Sequence, residues 1–151
     1  MRTQDELVEL FRSHGLRITP QRQRIFEVLT GNEHHPTAES VWFTVREQMS
    51  NVSLKTVYET LHELVSFGEI QQIDVGTGAS RFDPNVSAHH HLVCRQCGKI
   101  RDLHADYSFL APPDGQDQGF HVSNAEVIFR GLCIECSSKA SEIQKENVIN
   151  A

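Results

Sequence analysis

A chain of 151 residues is long enough for one domain of ordinary size or two small ones, and its 38% hydrophobic and 23% charged residues allow a core and exclude wholesale disorder. The net charge of −6, from 14 Lys and Arg against 20 Asp and Glu, excludes nucleic-acid binding by bulk charge and leaves only a local basic face for such a role. No apolar run approaches the roughly 20 residues that cross a bilayer.

Four short helices are expected in the first 68 residues. Thr3 with Glu6 forms a capping box, Leu7, Leu10 and Phe11 supply an apolar face, and Gly15 ends the first helix. Thr19 and Pro20 open the second, with Ile25, Val28 and Leu29 as its inward stripe and Gly31 as its stop. Thr37 begins the third, where Ala38, Val41, Trp42 and Val45 recur at helical spacing. Ser53 begins the fourth, with Leu54, Val57, Tyr58, Leu61 and Val65 on one side and Gly68 after it. Extended segments at Glu69–Val75 and Ser80–Asp83 flank Gly76-Thr77-Gly78, the pattern of a hairpin. Helices followed by a hairpin are the order of a winged helix-turn-helix, assigned to residues 1–83.

Residues 84–88, Pro-Asn-Val-Ser-Ala, read as a hinge, and 89–151 as a small α/β domain with strands at Leu92–Cys94, Lys99–Leu103 and Asn124–Arg130. The fold class is therefore α+β. Ala111-Pro112-Pro113-Asp114-Gly115 is a loop by composition, and polar residues 137–150 form a terminal helix or a frayed tail. The polar start MRTQDELVEL has no signal-peptide character, so the expected location is the cytoplasm, with no membrane contact.

The 4 cysteines fall as two pairs, Cys94-x-x-Cys97-Gly98 and Cys133-x-x-Cys136. Two residues between cysteines let both thiolates of a knuckle face one ion, and two knuckles complete a tetrahedral zinc shell. Four thiolates leave no position for substrate, so this zinc is structural. The 35 residues between the pairs make it a tie between distant strands. A second group is dispersed: His35 before Pro36, Asp83 at the end of the hairpin, His89 and His91 on one side of a strand, and Asp102 on the next. Histidine and carboxylate donors suit Fe²⁺, Mn²⁺, Co²⁺ or Zn²⁺. Spacing alone does not assemble these five. His90 is expected at the surface or behind the ligands, and His14, His34, His62, His104 and His121 as non-ligands. On the fourth helix Ser53, Lys55, Thr56 and Tyr58 are candidates for DNA contacts, with Arg17 and Arg22 nearby for phosphates. Glu59 on the same helix either accepts from a cytosine amino group or repels wrong sites.

Leu16-Arg17-Ile18-Thr19-Pro20-Gln21-Arg22, His35-Pro36-Thr37-Ala38-Glu39, Ser53-x-x-Thr56-Val57-Tyr58-x-x-Leu61, His89-His90-His91-Leu92-Val93-Cys94-x-x-Cys97-Gly98 and Gly131-Leu132-Cys133-x-x-Cys136 follow one another in order. With them the chain resembles the ferric uptake regulator (Fur) family of bacterial metal-dependent repressors over roughly residues 5–138. The resemblance implies a homodimer whose winged helices bind a palindromic double-stranded DNA operator and whose α/β domains dimerise. It also implies a structural Zn²⁺ on Cys94, Cys97, Cys133 and Cys136, and a regulatory Fe²⁺ or Mn²⁺ on His35, Asp83, His89, His91 and Asp102. This ligand set is similar to that of the peroxide-responsive (PerR) branch, which has Asp where iron-uptake regulators commonly have Glu at position 83. Asn124-Ala125-Glu126 lacks the histidine of the additional metal site found in many iron-uptake members, so that site is expected to be absent.

The function so implied is a repressor, not an enzyme, that senses hydrogen peroxide through Fe²⁺-dependent oxidation of His35 or His89 and controls defence genes such as catalase. The metal would fix the hinge and so the separation of two recognition helices, which must lie about 34–36 Å apart or a multiple of it. Three other readings stay open at this point. One is an iron- or manganese-responsive uptake regulator using the metal as corepressor. Another is a small non-haem iron enzyme, since His and carboxylate ligands with an open position also describe oxygenases. The last, a plain zinc-stabilised interaction module, leaves the His and Asp set unexplained.

Overall fold

Each of the four helices starts at a hydroxyl. Thr3, Thr19, Thr37 and Ser53 have extended backbone, and each side-chain oxygen accepts from the N–H three residues on, at Glu6, Arg22, Ser40 and Thr56. They launch α1 (Gln4–Ser13), α2 (Pro20–Leu29), α3 (Ala38–Arg46) and α4 (Leu54–Ser66). The computed structural model describes residues 1–76, 78–107 and 109–139. The chain divides into two compact units, Met1–Val86 and Ser87–Ala151.

In the first unit Leu7, Phe11, Ile25, Leu29, Val41, Val57 and Leu61 are fully buried and meet in one core. Phe11 sits edge-on to Phe26 and Phe67, with ring centroids 5.0 and 5.4 Å apart, geometry that aromatic pairs favour. Two stripes differ from the periodicity. On α2, Phe26 is buried where Val28 was expected, and Val28 lies on the flank. On α4, Val57, Thr60, Leu61 and Leu64 face inward, while Leu54, Tyr58 and Val65 are only partly buried. Thr60 tolerates burial because its hydroxyl donates to the Thr56 carbonyl at 2.8 Å.

After α4 come β1 (Gln71–Ile73) and β2 (Arg81–Asp83), an antiparallel pair with Gln71 opposite Asp83. The strands are shorter than the sequence pattern. Glu69 and Val75 lie outside the ladder, and Glu69 is instead buried in an ion pair with Arg2. Four helices and a two-stranded wing make the first unit a winged helix. The Phe82 N–H donates to the Pro36 carbonyl at 2.9 Å, which fastens the wing to the segment ahead of α3.

The second unit holds β3 (His90–Cys94), β4 (Ile100–Leu103) and β5 (Ile128–Gly131) in the order β4-β3-β5. β3 runs antiparallel to β4 and parallel to β5. Among the described residues the stretch 104–127 has neither helix nor strand, so the connection back to β5 is irregular throughout. β5 begins at Ile128, later than the expected Asn124. Residues 134–139 are helical. The expected terminal helix or tail at 137–150 lies outside the described residues from 140 onward. Among the described residues no helix is long and apolar enough to cross a membrane.

Candidate metal centres and recognition helix

Parallel pairing of β3 with β5 explains how cysteines so far apart in sequence meet. Cys94 is opposite Gly131 in the register, so both knuckles leave the same end of two adjacent strands. The Arg95 N–H donates to the Gly131 carbonyl at 2.8 Å and carries the pairing one step further. The first knuckle turns at Gly98, whose φ of +71° suits glycine. None of the four cysteines is in a disulfide.

The four sulfurs lie within 4.8 Å of one another, and Cys97 Sγ is 3.7 Å from Cys133 Sγ. A tetrahedral ion with bonds of about 2.3 Å requires sulfurs about 3.8 Å apart, so the four residues fit zinc. Backbone N–H groups of Cys133 and then Cys97 hold the Cys94 thiol down to about 6, while burial pushes Cys136 up to about 12. Lys99 Nζ sits 2.5 Å from Glu135 Oε1, and this pair, more than the neighbouring Cys133, holds the Glu135 carboxyl down to about 2.

In the first unit His35 Nε2 lies 3.6 Å from Asp83 Oδ2, with both side chains almost wholly buried. His35 has φ +49° immediately before Pro36, a left-handed conformation that costs a non-glycine residue about 1–3 kcal/mol. The Asn85 N–H donates to Asp83 Oδ1 at 2.8 Å and leaves the other carboxylate oxygen toward the imidazole.

In the second unit the sheet assembles His89, His91 and Asp102. His91 and Asp102 are direct cross-strand partners and therefore share one side, and His89 is two residues from His91. The Nε2 atoms of His89 and His91 are 3.0 Å apart, and Asp102 Oδ2 is 3.7 Å from His89 Nε2. Imidazole nitrogens bound at about 2.1 Å and right angles to one ion lie about 3.0 Å apart, so this donor set fits a divalent metal. The outer nitrogens are also engaged: His89 Nδ1 is 2.7 Å from the Ser87 carbonyl, and His91 Nδ1 is 2.7 Å from Glu126 Oε1. Such outer partners fix which nitrogen faces a metal. The sequence reading missed both. Glu126 had entered it only as part of a stretch lacking histidine, and a pairing across 35 residues leaves no local pattern. His90 is buried rather than at the surface, because its Nδ1 accepts from the Val127 N–H at 3.2 Å and Tyr107 packs edge-on to its ring. His104, a non-ligand, packs against His89 with centroids 5.7 Å apart.

The residues considered for DNA are unequal in exposure. Lys55 is open to solvent, with only Glu59 at 3.7 Å beside it. Ser53 and Thr56 are bound to each other in the cap of α4. Tyr58 donates to Glu39 at 2.7 Å. Arg22 reaches Glu63 at 2.8 Å and the Arg17 carbonyl at 3.0 Å, and its guanidinium lies over the Phe11 ring.

Comparison with known proteins places this arrangement. A family model described as the ferric uptake regulator family matches residues 13–130. The peroxide-responsive repressor PerR of Staphylococcus saprophyticus is 34% identical over 138 residues, covering 89% of this chain and 92% of that protein. The peroxide operon regulator of Bacillus subtilis is 36% identical over 137 residues, covering 89% and 93%. In fold, the ferric uptake regulator of Helicobacter pylori superposes with a TM-score of 0.74 at 22% identity, over 90% of this chain and 95% of that one. Matched by the family model over most of its length and at least 34% identical to both repressors, the chain belongs to the ferric uptake regulator family.

Proposed function

We propose that this protein is a metal-dependent transcriptional repressor of the peroxide response. The observation that carries the reading is the buried His89, His91 and Asp102 group, whose Nε2 atoms already have the spacing of neighbouring metal ligands. His35 and Asp83 supply a second buried pair of the same donor type. One Fe²⁺ or Mn²⁺ held by all five would link the first unit to the second and set their mutual angle. Histidine and carboxylate donors without sulfur favour these ions over softer ones. The likeness to two repressors named for peroxide supports the choice of signal.

The zinc on Cys94, Cys97, Cys133 and Cys136 stabilises the second unit and takes no part in sensing. α4 enters the major groove, with Lys55 as an exposed cation for phosphate. A palindromic operator requires a homodimer, and the exposed Phe109, Phe120 and Ile134 give the second unit apolar surface for a second copy. The protein acts as a regulator and turns over no substrate.

Bound ferrous iron supplies the one-electron reduction of hydrogen peroxide, chemistry that Mn²⁺ performs far less readily. His35 and His89 are the rings placed to be modified. One peroxide oxygen enters a ring C–H bond and the other leaves as water. An oxidised ring is a poorer donor, so metal and operator are released and defence genes such as catalase are expressed. The test is a peptide mass map of Fe²⁺-loaded and Mn²⁺-loaded protein after mild peroxide treatment. One added oxygen on His35 or His89, with iron only and with loss of operator binding, is the expected result. Unmodified histidines with operator binding intact would instead make this a regulator of metal level.

A further inference from the structure

The two imidazoles of the second unit are held differently. His89 Nδ1 meets a neutral backbone carbonyl at Ser87, whereas His91 Nδ1 meets a carboxylate at Glu126, both at 2.7 Å. The Glu126 side chain is 38% exposed and that of His91 only 3%, so the carboxylate stays hydrated while it holds an interior ring. The neighbouring residue anchors the glutamate. The Val127 carbonyl accepts from the His91 N–H at 3.0 Å, and its N–H donates to His90 Nδ1 at 3.2 Å. Both bonds lie just ahead of β5, so Glu126 is clamped to β3 by backbone before its own side chain acts.

A carboxylate behind an imidazole fixes the ring in the Nδ1–H tautomer, directs its angle and makes the opposite nitrogen a stronger donor. A neutral carbonyl fixes the tautomer with less effect on basicity. Glu126 also adds negative charge near a site that otherwise has Asp102 as its one carboxylate in this unit.

We propose that Glu126 is a positioning residue for the regulatory metal, and that its carboxylate makes His91 the stronger of the two imidazole donors. This rests on the reading of His91 as a ligand. Its role is separate from the additional histidine-containing site of iron-uptake regulators, because Glu126 acts through His91 and not on an ion of its own.

The test is Mn²⁺ titration of the full-length zinc-loaded protein, wild type against Glu126→Gln, Glu126→Ala and His91→Ala. Gln keeps an acceptor and loses the charge, so about tenfold weaker Mn²⁺ binding is expected. Ala loses both, and a weakening toward 100-fold is expected. The ring nitrogen shifts of His91 by NMR, read without Mn²⁺, should show one Nδ1–H tautomer in wild type and in Glu126→Gln, and a mixture in Glu126→Ala. Affinity within twofold of wild type in Glu126→Ala, or an unchanged single tautomer there, overturns the proposal. Equal affinity for wild type and Glu126→Gln overturns the role of charge. If His91→Ala abolishes Mn²⁺ binding while Glu126→Ala does not weaken it, Glu126 alone falls. If wild type takes up no Mn²⁺ at all, the reading of His91 as a ligand falls with it.

Discussion

Tyr58 on α4 donates its hydroxyl proton to Glu39 on α3 across 2.7 Å, joining the helix proposed to read DNA to the helix before it. The bond holds the Glu39 carboxyl below its usual 4.5 and the Tyr58 phenol above its usual 10.0. For Glu39 the stabilisation is complete above pH 4.5 and disappears as pH falls through the lowered folded value. For Tyr58 it is complete below pH 10.0 and disappears as pH rises past the raised folded value. Tyr58→Phe should therefore cost about 1 kcal/mol near neutral pH, read by urea denaturation. It should also flatten the fall in stability on the acid side of the transition. An unchanged acid limb would show that other carboxylates dominate it.

Lys55 and Arg22 should separate in their effects. Removing Lys55 by Lys55→Ala should leave stability within about 0.5 kcal/mol and reduce the slope of log affinity against log salt by about 1. Arg22 is tied to Glu63 and lies over Phe11, so Arg22→Ala should cost about 1–2 kcal/mol of folding stability. Fluorescence anisotropy on operator DNA at several salt concentrations, with parallel denaturation curves, reads both. An Arg22→Ala protein of normal stability with a lowered salt slope would instead make Arg22 a phosphate contact.

Loss of the zinc should undo the second unit and spare the first. Structural zinc contributes about 10–16 kcal/mol in small domains, as much as the whole stability of many folds at about 5–15 kcal/mol. The three short strands of the second unit have no helix across the stretch 104–127 to replace it. Cys133→Ser should therefore abolish zinc retention and the hydrogen-exchange protection of β3, while amides of α2 and α4 stay protected. Protection of β3 in zinc-free protein would contradict this.

His35 combines burial, a left-handed backbone and a role in the proposed site. Asparagine tolerates that conformation better than most residues. His35→Asn should keep stability within about 1 kcal/mol and lose metal-dependent operator binding, so folding and sensing part company. Denaturation together with Mn²⁺-dependent gel shifts measures the pair. Retained metal-dependent binding would remove His35 from the ligand set.

What was legible beforehand has a physical pattern. Caps at Thr3, Thr19, Thr37 and Ser53 are chemically local, so the helix starts could be read directly. The inward side of α4 was harder to place, because Thr60 satisfies its own hydroxyl while Tyr58 turns toward Glu39, and neither fact is in the apolar periodicity. The four cysteines were legible as a zinc shell because each pair is local, but their meeting depends on parallel pairing that no spacing encodes. Glu126 stayed hidden for the same reason. Its partner is on another strand, and a single glutamate carries no motif.

The parity of one strand governs which changes in chain length a lineage can keep. β3 carries His91 on one side and ends in Cys94 on the other, three residues later. Side chains alternate along a strand, so one inserted residue between them would exchange the sides and separate both donors from their partners at once. Insertions in 104–127 leave that parity alone, and each doubling of loop length costs only about 0.6 kcal/mol. Descendants of this sequence are thus free to vary in length beyond β4 but held to a fixed count from His89 to Cys94.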